Sequence, residues 1–85
     1  MSSIDYSKLR GLTAQKLIRA LQRDGFIFSR QSGSHRIYYH PDGRRVTVTF
    51  HHPSDTFPIK TLKRILEEEA GWTEEDLRRL KLLRK

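Results

Sequence analysis

The tripeptide Pro41-Asp42-Gly43 constrains this fold more than any other feature. Proline sets its own φ, and aspartate and glycine supply turn chemistry. The β-forming segments His35–His40 and Arg45–His51 flank it, so the chain is predicted to double back as an antiparallel hairpin. After the turn, Val46, Val48 and Phe50 alternate with Thr47, Thr49 and His51, the period of a half-buried strand. If Asp42-Gly43 alone forms a two-residue turn, Tyr39 faces Val46, Ile37 faces Val48 and His35 faces Phe50. That register groups the apolar residues and is the one expected. It puts Ile37 and Tyr39 on the core face, with His35 at its open end. A three-residue loop would slip the pairing by one and exchange the faces.

The remaining elements follow from local signals. Thr13 is an N-cap for a helix over Ala14–Asp24, whose buried stripe is Ala14, Leu17, Ile18 and Leu21. Gly25 ends it. Phe26-Ile27-Phe28 reads as a first strand and Arg30–Ser34 as a turn. After a loop over His52–Phe57, Pro58 opens a second helix with Ile59, Leu62, Ile65, Leu66 and Ala70 inward. Gly71 ends that helix, and Thr73-Glu74-Glu75-Asp76 caps a short last helix carrying Leu77 and Leu80. Trp72 is expected to pack this helix onto the rest. The order predicts an α+β, two-layer α-β-β-β-α domain, a three-stranded antiparallel sheet with helices on one face. With 85 residues the chain is expected to form one domain over 13–80, with a lead-in at 1–12 and a basic tail at 81–85.

Lys and Arg number 17 against 10 Asp and Glu, and the resulting net charge of +7 favours phosphate-rich partners. Cysteine is absent, which removes disulfides, thiolate metal sites and a cysteine nucleophile. No apolar run is long enough to span a membrane, and the first residues show no signal peptide. A cytoplasmic location is expected, with no membrane association and no small-molecule cofactor.

Gly33-Ser34-His35 is the segment that can carry chemistry. A histidine titrates near neutral pH, and next to RNA it can take the 2′-hydroxyl proton so that this oxygen attacks the adjacent phosphorus. A second group must protonate the leaving 5′-oxygen, and a cation must balance the charge that builds on phosphorus. Arg30, Arg36, Lys60 and Lys63 are candidates for the cation. Lys60, Lys63 and Arg64, near the start of the second helix, are candidate phosphate contacts. Tyr38, Tyr39 and Trp72 could stack on bases. The competing reading of His35 is a strand-end residue with local hydrogen bonds only. His40, before the turn, is expected to be exposed. His51 and His52 are adjacent and would point to opposite faces of a strand. A metal site would need His35, one of that pair and a carboxylate such as Asp55, and the spacing matches no standard zinc pattern, so no metal is expected.

These segments together resemble the HicA toxin family. The matching stretches are Leu12–Gly25, Phe26, Gly33–Tyr38, His40–Arg44, Val46–Val48, Thr61–Leu66 and Ala70-Gly71, which cover residues 12–80 in order. The resemblance implies a small mRNA-cleaving toxin with a double-stranded-RNA-binding-like fold, neutralised by a HicB-type antitoxin. It maps the family's catalytic histidine onto His35, within the Gly33-Ser34-His35 motif. A second histidine is implied after the third strand, and here both His51 and His52 compete for that place. Lys60 stands where the family has glycine, and Glu67-Glu68-Glu69 is one residue longer than in common versions. Two other functions remain open on the sequence: a non-catalytic RNA-binding module, and a module that only binds an antitoxin through an exposed strand edge.

Overall fold

A computed structural model describes residues 4–83. A short 3-10 turn, Tyr6–Leu9, precedes α1 (Ala14–Arg23), β1 (Ile27–Ser32), β2 (His35–Tyr39) and β3 (Arg45–Thr49). Helix α2 (Ile59–Lys63) runs directly into a π-helical segment, Arg64–Glu69, and α3 (Glu74–Arg79) follows. The sheet is antiparallel in the order β1-β2-β3. Leu17, Leu21, Leu62, Ile65, Leu66 and Leu77 pack with Tyr38, Val46 and Val48 in one core, so the domain has the expected two-layer α+β architecture. Ile4, Leu9, Leu12 and Leu83 join that core from the two ends of the described chain. Arg84 and Lys85 of the expected tail lie outside the described residues.

Local capping fixes the helix ends. Thr13 accepts the Lys16 N–H at 3.2 Å. At the other end of α1, the Gly25 N–H bonds Gln22 O and the Phe26 N–H bonds Leu21 O, with Gly25 at φ +105°. This is a Schellman closure, which needs a left-handed residue at that position. Thr73 and Asp76 form a reciprocal capping box on α3. Ile18 is half-buried rather than fully inward, and Ala20 takes its place in the stripe. Ile59 is exposed, because the buried face of α2 begins one turn later, at Leu62.

The hairpin register differs from the expected one. The β2–β3 partners are Tyr39 with Arg45, Tyr38 with Val46, Ile37 with Thr47, Arg36 with Val48, and His35 with Thr49. The loop has three residues: the His40 N–H bonds Arg44 O and the Gly43 N–H bonds His40 O, both at 2.9 Å. A two-residue loop would have required a backbone donor from Pro41, which has none. The longer loop closes with Gly43 at φ +101°. The slip puts Tyr38 in the core, while Ile37, Tyr39 and His35 share the face turned away from the helices.

Strand β1 also departs from expectation. It continues through Arg30 and Gln31 to Ser32, so the turn contracts to Gly33-Ser34. A bulge at Ser29 absorbs one residue between the Phe28–Tyr38 and Arg30–Ile37 pairs. The π-helical segment contains Glu67-Glu68-Glu69, and the Ala70 N–H reaches back five residues to Ile65 O at 2.8 Å. A π turn is how a helix takes in one extra residue. Its last residue, Glu69, accepts the Thr47 N–H of β3 at 2.9 Å and pairs with Arg64.

Candidate functional site

Gly33 and Ser34 are the whole of the β1–β2 turn, between the paired residues Ser32 and His35. Gly33 has φ +60°, and Ser34 does not have positive φ, so the turn is of the glycine-first II′ kind. A Cβ at Gly33 would meet nothing within 4 Å. The glycine is therefore required by the backbone and not by crowding. Gln31 steadies the turn by donating to Gly33 O at 2.9 Å, and Ser34 O accepts the Phe50 N–H at 3.2 Å. That last bond ties the turn to the segment leaving β3.

The four histidines separate by environment. His40 is half-buried, not exposed: its Nε2 lies 2.7 Å from Asp24 O, and its ring meets Phe26 edge-on at 5.0 Å. A carbonyl can only accept, so Nε2 carries the proton. Nδ1 is then free to accept the Asp42 N–H at 3.1 Å. This ring fastens the β2–β3 loop to the end of α1. His35, His51 and His52 are exposed. His35 begins β2, on the sheet face away from the helices. His51 lines a cleft of about 280 Å³ with Gln31, Gly33, Ser34, Arg36 and Phe50. His35 and His52 do not line it. The structure thus brings His51 into the cleft at the turn, while His35 follows the turn directly in β2 and stays outside that cleft.

Asp55 organises the segment after β3. Its Oδ2 accepts the His51 and His52 N–H groups at 3.0 and 3.1 Å. Those two bonds hold its carboxyl below the ordinary aspartate value. Asp55 O and Pro53 O then receive the Ala14 and Gln15 N–H groups, which seats the segment on the start of α1. This carboxylate, which a metal site would have needed, is occupied by backbone donors. Among the described residues no group of three metal-ligating side chains exists.

The expected cations scatter. Arg30 is exposed and pairs with Ile37 in the register, on the same outer face as His35. Arg36 lies on the helix side, with its guanidinium 4.9 Å from the Phe50 ring centroid. Lys60 and Lys63 are exposed on α2, and neither lines the cleft. Arg64 is engaged by Glu69. Tyr38 is buried and cannot stack on a base, whereas Tyr39 lies exposed beside Ile27. Trp72 is buried in the core as expected.

Sequence reasoning missed Asp24. Its carboxylate accepts from Trp72 Nε1 at 2.9 Å, Arg79 at 2.9 Å and Arg44 at 3.2 Å. Burial pushes its carboxyl up, but the Trp72, Arg79 and Arg44 contacts outweigh that and hold it below the ordinary value. Arg44 also covers the Phe26 ring at 4.9 Å and donates to Ala70 O. The His40–Arg44 stretch is therefore a structural clamp, while His35, Arg36 and His51 lie at the opposite, Gly33-Ser34 end of β2.

Among the described residues, no helix is long and apolar enough to cross a membrane. No curated protein sequence matches the chain. A family model described as the HicA toxin of bacterial toxin–antitoxin matches residues 14–74, from the first residue of α1 into α3 and through the whole sheet. That match covers most of the 85 residues, and the chain belongs to the HicA toxin family.

Proposed function

We propose that this toxin is a metal-independent endoribonuclease that cleaves mRNA in the cytoplasm, and that an acidic HicB-type antitoxin restrains it. The observation that carries the reading is the distribution of histidines. One is locked into the scaffold, and two exposed ones, His35 and His51, flank the same two-residue turn. In-line displacement at phosphorus needs a base on the side of the attacking 2′-oxygen and an acid on the side of the leaving 5′-oxygen. A phosphate resting on Gly33-Ser34 would meet a histidine on either side.

In this reading His35 removes the 2′-hydroxyl proton. The 2′-oxygen then bonds to phosphorus, and the P–O5′ bond breaks. His51 returns a proton to the 5′-oxygen, and the products are a 2′,3′-cyclic phosphate and a free 5′-hydroxyl. Arg36, beside the turn, offsets the charge that builds on the phosphoryl oxygens. His52 has the weaker case, because it neither adjoins the Gly33-Ser34 turn in the strand, as His35 does, nor lines the cleft, as His51 does.

The test is cleavage of a defined mRNA by the wild type and the His35→Ala, His51→Ala and His52→Ala proteins. Loss of either acting histidine should lower the rate by about a hundredfold to ten-thousandfold, with unchanged melting. His52→Ala should stay near wild type. A chelator should not slow the reaction, and a 2′-deoxy substitution at the scissile position should abolish it. Full activity in folded His35→Ala protein would overturn the assignment.

A further inference from the structure

We infer that a single RNA strand reaches the Gly33-Ser34 turn along a basic track that crosses α1 and ends at the C-terminus of α3. The inference rests on RNA being the ligand and adds the path by which it is held.

Four clefts adjoin one another through shared residues. The cleft at the turn shares Arg36 and Phe50 with one of about 270 Å³ over Ile18 and Arg19. Arg19 also lines the next, of about 230 Å³. That one shares Lys16, Lys81 and Leu82 with the last, of about 520 Å³, which reaches Lys8. No carboxylate lines any of the four. Arg44, Arg64, Arg78 and Arg79, elsewhere on the surface, each pair with a carboxylate. Among the described residues, Lys8, Lys16, Arg19, Arg23, Arg36 and Lys81 along the four clefts have no salt-bridge partner; Arg10, Arg30, Arg45, Lys60 and Lys63 are unpaired too but line none of them, so it is the continuity of the clefts that sets the track apart. A continuous line of unpaired cations is the footprint of a phosphate backbone, and a path one cleft wide suits one strand. Phe50, Leu12 and Leu82 offer apolar floor to bases along it.

Lys81 supplies an independent observation. It sits at φ +65°, and among the described residues it alone besides glycines has positive φ. The Lys81 N–H bonds Arg78 O and the Leu82 N–H bonds Leu77 O, so Lys81 holds the left-handed place in a Schellman closure that glycine ordinarily fills. Lysine is a strained occupant there, and strain that persists in a fold points to a use for the side chain. Its use here is a cation between two of the clefts.

Lys81→Gly therefore separates binding from folding. In a His35→Ala background, where cleavage cannot interfere, binding of a short labelled single-stranded RNA is measured against salt. Lys81→Gly should raise the melting temperature and weaken binding. Adding Lys16→Gln and Arg19→Gln should reduce the slope of log K against log salt by about 2 in all, about 0.7 for each lost contact. An unchanged slope in the triple variant, or unchanged affinity in Lys81→Gly, overturns the track. A retained slope with lost binding of the antitoxin would overturn it in favour of a protein interface. Cleavage by His35-intact protein is scored separately. If the wild type binds with the full slope but does not cut, the ribonuclease reading fails and the track stands.

Discussion

Replacing Asp24 with alanine should be among the most damaging single changes outside the apolar core, and its cost can be built from its three partners. Trp72 Nε1 is the first: the residue is buried, and a stranded indole N–H costs roughly 1–3 kcal/mol. Arg44 is about two-thirds covered and Asp24 about nine-tenths, so that ion pair is only partly screened and contributes about 1 kcal/mol. Arg79 is half exposed, so its pair with Asp24 is screened by solvent and adds little. The sum is about 3 kcal/mol. Asp24→Asn keeps an oxygen for Trp72 and loses only the charge, so its cost should be about half as large. The pH dependence isolates that charge. Asp24 titrates below its ordinary 3.8 in the folded state, so its contribution is fully present above that value. It is lost as pH falls through the lower folded value. Urea unfolding, followed by the fluorescence of Trp72, the only tryptophan, reads both effects. The gap between wild type and Asp24→Asn should be open near pH 7 and narrow as the pH falls from 3.8 toward about 2. A gap of the same size at both pH values, or an alanine cost under about 1 kcal/mol, would refute the role given to this carboxylate.

Two further predictions concern backbone and edge. Gly25→Ala and Gly33→Ala both force alanine into positive φ, but a Cβ at Gly25 would also lie 2.9 Å from His40 Nε2. Gly33→Ala should cost about 1–2 kcal/mol and Gly25→Ala clearly more, and equal losses on thermal unfolding would contradict the crowding argument. Glu69→Ala should release the Thr47 amide on the outer edge of β3. Its hydrogen exchange should accelerate by about tenfold, equivalent to about 1.4 kcal/mol, and unchanged protection would show that Glu69 does not guard that edge.

Much of the architecture was legible because its causes are local. Thr13, Gly25, Thr73 and Asp76 terminate helices through bonds spanning a few residues, so their meaning survives without tertiary context. The three-residue hairpin loop was also written in the chain, in the missing N–H of Pro41. Grouping apolar residues suggested the other register, because Ile37 and Tyr39 look like a core pair. Tyr38, an aromatic with a polar end, fills the core instead. Strand β1 was underestimated because Ser29–Ser32 has poor β propensity. Pairing with β2 and a bulge override that preference.

The candidate site divides in the same way. Sequence alone determined that Gly33-Ser34-His35 is a turn followed by a strand, since glycine-first turn chemistry is local. It also determined the basic excess and the family resemblance. Only the tertiary structure decided that His35 lies on the sheet face opposite the helices, a consequence of one-residue register. It alone brought His51 rather than His52 to the turn, through the seat that Asp55 makes on α1. It alone showed that His40 and Arg44 are scaffold, held by Asp24 from a helix end 16 and 20 residues away. Local rules reach only a few residues along the chain. Which side chains meet across a core, and which cations line up on a surface, is set by packing that no short window of sequence contains.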